Sequence, residues 1–228
     1  MSRGIKIRIS LFLLLAGIVL NACRTEKVYE PDREIYRKVD SLLSEMTLEE
    51  KAGQMLNIGL PALLTGDFYS PRDTLVFDEE KVQRLLVDYG AGCVQNLGFY
   101  PLTPEEWKYY IGVVQKTVLE STRIKIPVIY GIDAVHGANY TAGSVMFPHQ
   151  INLAATFNRE NARKVGEVTA YEVRASFTPW NYAPMIDVAR NPLWGRIYET
   201  YGEDSYVVSE MGAAVLICKT SSTSSGVN

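Results

Sequence analysis

Apolar residues recur at helical spacing in some stretches of the chain and gather into short β-branched runs in others. Ile35, Val39, Leu42, Leu43 and Met46 stand three or four apart, which predicts an amphipathic helix. Thr47 followed by Glu50 forms a capping box that opens a second, short helix. The segment from Met55 to Gly59 suits a first strand. Val82, Leu85 and Leu86 mark a helix ending at Gly90, and Ala91 to Asn96 then reads as a strand. Thr103-Pro104-Glu105-Glu106 combines an N-cap, a proline at the first helical position and a capping glutamate. The helix that follows places Trp107, Tyr110, Ile111, Val114 and Val118 on one face. Pro127 to Tyr130 is a further strand. Asn158 caps a helix whose Ala162, Val165, Val168 and Val173 face inward. The segment Asn181 to Ile186 (NYAPMI) is strand-like, and Glu203 and Asp204 precede a helix carrying Val207, Val208, Met211 and Val215. Acidic residues at that position suit the helix dipole.

Strands and helices alternate throughout, so the expected fold is α/β with a parallel sheet. Chemistry in such folds gathers at the C-terminal ends of the strands. Asn96, Asp133 and Asp187 all stand where an apolar run gives way to a polar loop, which suggests a barrel rim. Residues 34–218 hold about four strand–helix units, against eight in a TIM barrel of ~250 residues. The expectation is therefore a TIM (β/α)8 barrel-type domain that is incomplete, about the first half. The hydroxyl run from Thr220 to Ser225 is expected neither to extend the last helix nor to begin a strand, leaving residues 219–228 as a disordered tail.

The first 22 residues change the picture of where the chain works. Arg3, Lys6 and Arg8 precede an apolar run, Leu11 to Leu20, that is about half the ~20 residues a membrane span requires. Residues 1–22 are thus expected to be a signal peptide. Leu20-Asn21-Ala22-Cys23 resembles a lipobox, which implies lipid attachment at Cys23, a tether over residues 23–33 and a place in the bacterial cell envelope. The alternative is an ordinary cleaved signal with an incidental cysteine. Of the two remaining cysteines, Cys93 sits in an apolar context that suits a buried small hydrophobe, and with Cys218 it implies no disulfide framework. A hydrophobic share of 47% and a charged share of 21% are ordinary for a globular domain. The net charge of −3 gives no basic face for nucleic acid. His136 and His149 lack metal-site spacing, and neither a metal nor a cofactor is expected.

Candidate chemistry is concentrated in two places. In IPVIYGIDAVHGANY, Asp133 follows directly on a buried-type strand. A carboxylate there accepts bonds from adjacent sugar hydroxyls; the competing reading is that it only caps the turn. In NPLWGRIYETYGED, Arg196 offers a planar fork of donors beside Trp194 and Tyr198, whose rings suit the apolar face of a sugar. The competing reading here is an ion pair of Arg196 with Glu199 or Glu203 that ties the loop down.

Three stretches, IPVIYGIDAVHG, FPHQINLAATFN and YAPMIDVARNPLWGRIYETYGED, resemble the N-terminal barrel domain of glycoside hydrolase family 3, over roughly Met46 to Leu216. The resemblance implies that Asp133 and Arg196 bind the sugar in the −1 subsite, with His136, Trp194 and Glu199 in supporting roles. Asn191 and Ser205 depart from the family pattern, away from those contacts. It also implies a β-glucosidase-type retaining hydrolysis of terminal non-reducing β-D-glucosyl residues, with a β-glucoside or oligosaccharide as substrate. Retention uses two carboxyl groups about 5–5.5 Å apart. Both are expected beyond this sequence, so no catalytic residue is assigned within it and residues 1–228 alone are expected to be inactive. The alternatives are a surface-tethered sugar-binding remnant, a fragment completed by another chain, and β-xylosidase or glucan exohydrolase specificity in the intact relative.

Overall fold

A computed structural model of the protein describes residues 32–68 and 75–221, with side chains to residue 216. Residues 1–22, Cys23 and most of the 23–33 tether lie outside the described residues, as do residues 222–228. The chain divides into two compact units, residues 1–45 and residues 46–228. The first is described by helix α1 (Arg33–Glu45), which buries none of its residues. No helix among the described residues is long and apolar enough to cross a membrane.

The second unit begins with α2 (Leu48–Gln54), entered through the predicted box: the Thr47 hydroxyl accepts from Glu50 N–H and the Glu50 carboxylate accepts from Thr47 N–H. Strand β1 (Asn57–Gly59) leads into a short 3-10 turn (Leu60–Leu63). Helix α3 (Glu79–Val82) starts at Asp78, whose side chain caps Lys81 N–H, and widens into a π-helical stretch (Gln83–Asp88). Then follow β2 (Cys93–Gln95), α4 (Pro104–Ser121) and β3 (Ile129–Ile132). The chain continues through α5 (Gln150–Ala154), α6 (Arg159–Ala175), β4 (Trp180–Asn181), a 3-10 turn (Ile197–Glu199) and α7 (Ser205–Ser221).

The four strands form one parallel sheet in the order β1-β2-β3-β4, each paired to the next along the chain. This is the α/β class expected, with the sequential strand order of a TIM-type barrel and about half its eight units. The register aligns Val94 with Tyr130 and Gly59 with Gln95, Gly131 and Trp180. Successive side chains of a strand alternate faces. Ile58, Val94, Tyr130 and Ile132 therefore turn toward the helices, and the last three are fully buried with Leu86, Trp107, Ile111, Val114 and Val118. Trp107 meets Tyr130 edge-on at 5.6 Å, and its indole N–H donates to Thr141 Oγ1 at 3.0 Å. The other face of the sheet carries Asn57, Cys93, Gln95 and Gly131. A second cluster, with Ala162, Val208, Met211 and Val215, joins α6 to α7. There Gly166 lets α7 approach so closely that a Cβ would stand 2.5 Å from Val215 O.

Five expectations change. The strand-like NYAPMI holds its ladder only as far as Asn181, because Pro184 has no N–H to give and Ala183 N–H is taken by Asn181 Oδ1. Asp187 consequently follows coil, not a strand, and is exposed. Strand β3 runs two residues beyond Tyr130, since Gly131 and Ile132 still pair with Trp180 and Asn181. Cys93 is half-exposed, because its strand position points to the polar face, with Sγ 3.3 Å from the Tyr182 hydroxyl. Residues 219–221 belong to α7, since serine and threonine at a helix end cost only a few tenths of a kcal/mol each. The other predicted caps stand: Thr103 closes a box with Glu106, and Asn158 caps Glu160 and Asn161. Asp204, expected only to suit the helix dipole, also accepts from Tyr206 and Val207 N–H.

Helix α2 docks so tightly on the turn before β2 that a Cβ on Gly53 would lie 2.1 Å from Tyr89 O and 2.9 Å from Gly90 O. Both obstacles are backbone. Alanine favours a helix over glycine by ~1 kcal/mol, whereas overpacking costs about 1–3 kcal/mol and more when backbone must move. Gly53→Ala is expected to lower the unfolding free energy by about 1–3 kcal/mol in urea titration. An unchanged or raised midpoint would show that α2 is not held there.

Candidate active site

The site is built where the strands end. Immediately after β2, Asn96 takes a left-handed backbone conformation (φ 47°), which asparagine tolerates better than most residues. Immediately after β3 stands Asp133. The Asn96 amide donates to Asp133 Oδ2 at 2.6 Å, and its oxygen accepts from Asp133 N–H at 2.9 Å. At the end of β4, Asn181 Oδ1 accepts from Ala134 N–H at 3.1 Å and so ties the loop of Asp133 to the next strand. Three consecutive strand ends thus present Asn96, Asp133 and Asn181 side by side.

Below them, the polar face of the sheet is linked by side chains. Asn57 donates to Gln95 Oε1 at 2.8 Å and to the Tyr182 hydroxyl at 3.2 Å. Gly131 makes room for that tyrosine, since a Cβ there would fall 2.3 Å from the Tyr182 hydroxyl. Burial, with the Cys93 thiol and the Asp133 carboxylate beside it, pushes the Tyr182 phenol up to about 12. It therefore remains a neutral donor at physiological pH.

Arg196 lies just before the 3-10 turn Ile197–Glu199 and faces back onto it. Its Nε donates to Glu199 Oε1 at 3.0 Å and its Nη2 to Oε2 at 2.5 Å, a two-pronged pair. Of the two partners open to it in the sequence, Arg196 takes Glu199. The glutamate is buried and the arginine side chain is half exposed, at 52%. The pair holds the Glu199 carboxyl below its ordinary range, chiefly through the bond from Arg196. The Arg196 guanidinium is raised by Glu199 first and by the Asp133 carboxylate as well. The two charges thus lie close enough to act on one another, although they are 63 positions apart in the chain.

His136 is brought to this pair by a stack of rings. Its imidazole meets His149 edge-on at 4.3 Å, and His149 meets Tyr198 at 4.7 Å. Burial lowers the His136 pKa, His149 lowers it further, and Glu199 opposes them. Its Nδ1 is buried without a partner. Trp194 is half-buried, while the neighbouring Leu193 is 91% exposed. Tyr198, grouped with Trp194 as a sugar platform, instead lies against His149. His149 and Tyr182 lie within the family-like stretches without being assigned to the site, and Asn57 lies outside them. Their positions are far apart in the chain, and the register and the returning loops bring them together.

Residues 47–218 match the family described as the glycosyl hydrolase family 3 N terminal domain. A lysosomal beta glucosidase of Dictyostelium discoideum is 38% identical over 186 residues, covering 78% of this chain and 22% of the relative. A periplasmic beta-glucosidase of Salmonella typhimurium is 33% identical, covering 78% of this chain and 20% of its own length. Among solved structures, an exo-1,3/1,4-beta-glucanase from a Pseudoalteromonas species superposes with a TM-score of 0.68 at 27% identity, over 84% of this chain and 23% of that one. The chain therefore spans about a fifth to a quarter of these relatives.

The electrostatics fix a pH response. A histidine lowered in the fold binds its proton more weakly there than in the unfolded chain, so stability falls as pH drops below ~6.5 and through the folded value. The lowered Glu199 acts in the same sense at more acidic pH: its contribution is present above the ordinary carboxylate range and lost as pH falls through the folded value. Thermal unfolding between pH 7.5 and 5 should show a declining midpoint, and His136→Gln should flatten that decline. An equal slope in the variant would remove His136 from the account.

Proposed function

The chain belongs to glycosyl hydrolase family 3, and we propose that its barrel strands form the sugar-gripping wall of a β-glucosidase-type retaining hydrolase. One observation carries this reading: a carboxylate held rigidly at a strand end shares its rim with an oriented guanidinium. Asp133 accepts from sugar hydroxyls, which are dense donors, and Arg196 donates to sugar oxygens from a plane that Glu199 fixes. Together they select a ring presenting donors and acceptors at fixed spacing. His136 and its ring stack hold the Arg196–Glu199 turn toward Asp133, and Trp194 borders the same loop.

Bond cleavage calls for a nucleophile and an acid/base about 5–5.5 Å apart. Glu199 does not suit the acid role, because Arg196 stabilises its ionised form. Asp133 has one oxygen committed to Asn96. As the family resemblance implies, both reacting groups are assigned to sequence corresponding to the remaining length of the relatives. Released sugar would be a terminal β-glucosyl unit. The likeness to an exo-1,3/1,4-beta-glucanase favours a β-glucan or its oligosaccharides as the source. The likeness to a periplasmic beta-glucosidase supports export, and the sequence around Cys23 supports a lipid anchor.

The test is Asp133→Ala in the product of the full reading frame, assayed on an aryl β-D-glucoside. Hydrogen bonds to a charged group contribute about 1.5–3 kcal/mol each, so losing two should cut kcat/KM by about 10²–10⁴. Circular dichroism would confirm that the fold persists. An unaltered kcat/KM would overturn the assignment. For the anchor, Cys23→Ser is expected to move the protein from the membrane fraction to the soluble one; retention in membranes would exclude lipid attachment there.

A further inference from the structure

We propose that Asn96 is a positioning residue that fixes which oxygen of Asp133 the sugar meets; this rests on the reading of Asp133 as the sugar-binding carboxylate. Asparagine at a strand end in a left-handed conformation is commonly a turn residue and nothing more. Here both atoms of its amide are turned on one neighbour. The nitrogen donates to Asp133 Oδ2 and the oxygen accepts from Asp133 N–H, so the side chain and the backbone of Asp133 are held by a single planar group. That clamp leaves Oδ1 and one remaining lone pair on Oδ2 for ligand hydroxyls.

The Asn96 backbone is itself held at both its polar groups. Its N–H donates to Gly131 O at 3.0 Å, continuing the β2–β3 ladder by one step. Its carbonyl accepts from the Tyr130 hydroxyl at 2.7 Å. Tyr130 is fully buried and braced by Trp107. The orientation of the Asp133 carboxylate is thereby referred to the hydrophobic core and not to the loop that follows it. The side chain at position 96 must do three things: tolerate φ 47°, donate to a carboxylate and accept from an amide. Glycine meets the first requirement. Aspartate meets the first and third, but places a second carboxylate where the donor stood. Asparagine meets all three with one compact planar amide.

This separation gives the test. Asn96→Gly keeps the backbone conformation and removes the clamp; kcat/KM on the aryl β-D-glucoside should fall about tenfold or more, and the loss should vanish in an Asp133→Ala background. Asn96→Asp should lose more at pH 7, because two carboxylates in that space resist joint ionisation. Its activity relative to wild type should recover as pH falls and a single proton bridges the two. The other charged or titratable groups that act on Asp133 or that it acts on, Arg196, Tyr140 and Tyr182, are the same in both proteins, so the ratio isolates position 96. A merely structural asparagine would give Gly and Asp variants with the same pH profile as wild type.

A readout without ligand stands beside this. The Asn96 side-chain amide proton should resonate downfield in the NMR spectrum and return to the ordinary range in Asp133→Ala. If Asp133→Ala spares activity, the sugar-binding reading fails and this inference with it. If Asp133→Ala destroys activity while Asn96→Gly and Asn96→Asp leave kcat/KM and its pH profile unchanged, the clamp alone is overturned. An Asn96 amide resonance indifferent to Asp133→Ala would do the same.

Discussion

The register of a parallel sheet is the constraint from which the site follows. Because Gln95 pairs with Gly131 and Gly131 with Trp180, the residues one or two steps beyond these paired positions must emerge at similar height. Asn96, Asp133 and Asn181 come from segments separated by dozens of residues, yet the ladder leaves them as neighbours. A slip of one residue would turn each side chain to the opposite face. Buried Val94, Tyr130 and Ile132 oppose such a slip, since it would carry them to the polar face and bring Gln95 into the core. Hydrophobic burial under the helices thus sets the position of a carboxylate whose own bonds are polar.

The same logic explains why the polar face looks as it does. Strands of a parallel sheet covered on both faces read as near-continuous apolar runs. Here β1 and β2 alternate, and their second face carries Asn57, Cys93 and Gln95, joined to one another or to Tyr182 by hydrogen bonds. Gly131 is the opening through which the Tyr182 ring crosses β3. A polar layer of this kind costs stability compared with an apolar one unless its members satisfy each other, which this one does by pairing across strands.

What could be read from the sequence divides along the range of the forces involved. Caps are local, and Thr47, Thr103 and Asn158 all act where their spacing places them. Strand existence was legible from apolar runs, and the α/β order from their alternation with helices. Strand length was not, because the end of β3 depends on what β4 offers it and the end of β4 on Pro184. Asp133 and Arg196 were visible through motifs, and Glu199 as one of two possible partners of Arg196. The ring stack of His136, His149 and Tyr198 was not, since no periodicity links those positions and their meeting depends on two returning loops. Asn96 stood out as a polar strand end, but its turn toward Asp133 depends on a backbone angle that sequence pattern does not carry.

Asp133 and Arg196 are held in different ways. Asp133 is fixed by a neutral amide and by main-chain bonds, a support that leaves its full negative charge available. Arg196 is fixed by a charge, and Glu199 offsets much of the guanidinium's field at the site. A rim built that way presents a carboxylate as the dominant charge and an arginine chiefly as a directed set of donors. Such a balance favours a neutral ligand rich in hydroxyls over an anion, which would meet Asp133 as a like charge at close range. It also keeps a second free carboxylate out of the pocket, because Glu199 is occupied, so a reacting acid added to this wall would not compete with its own scaffold.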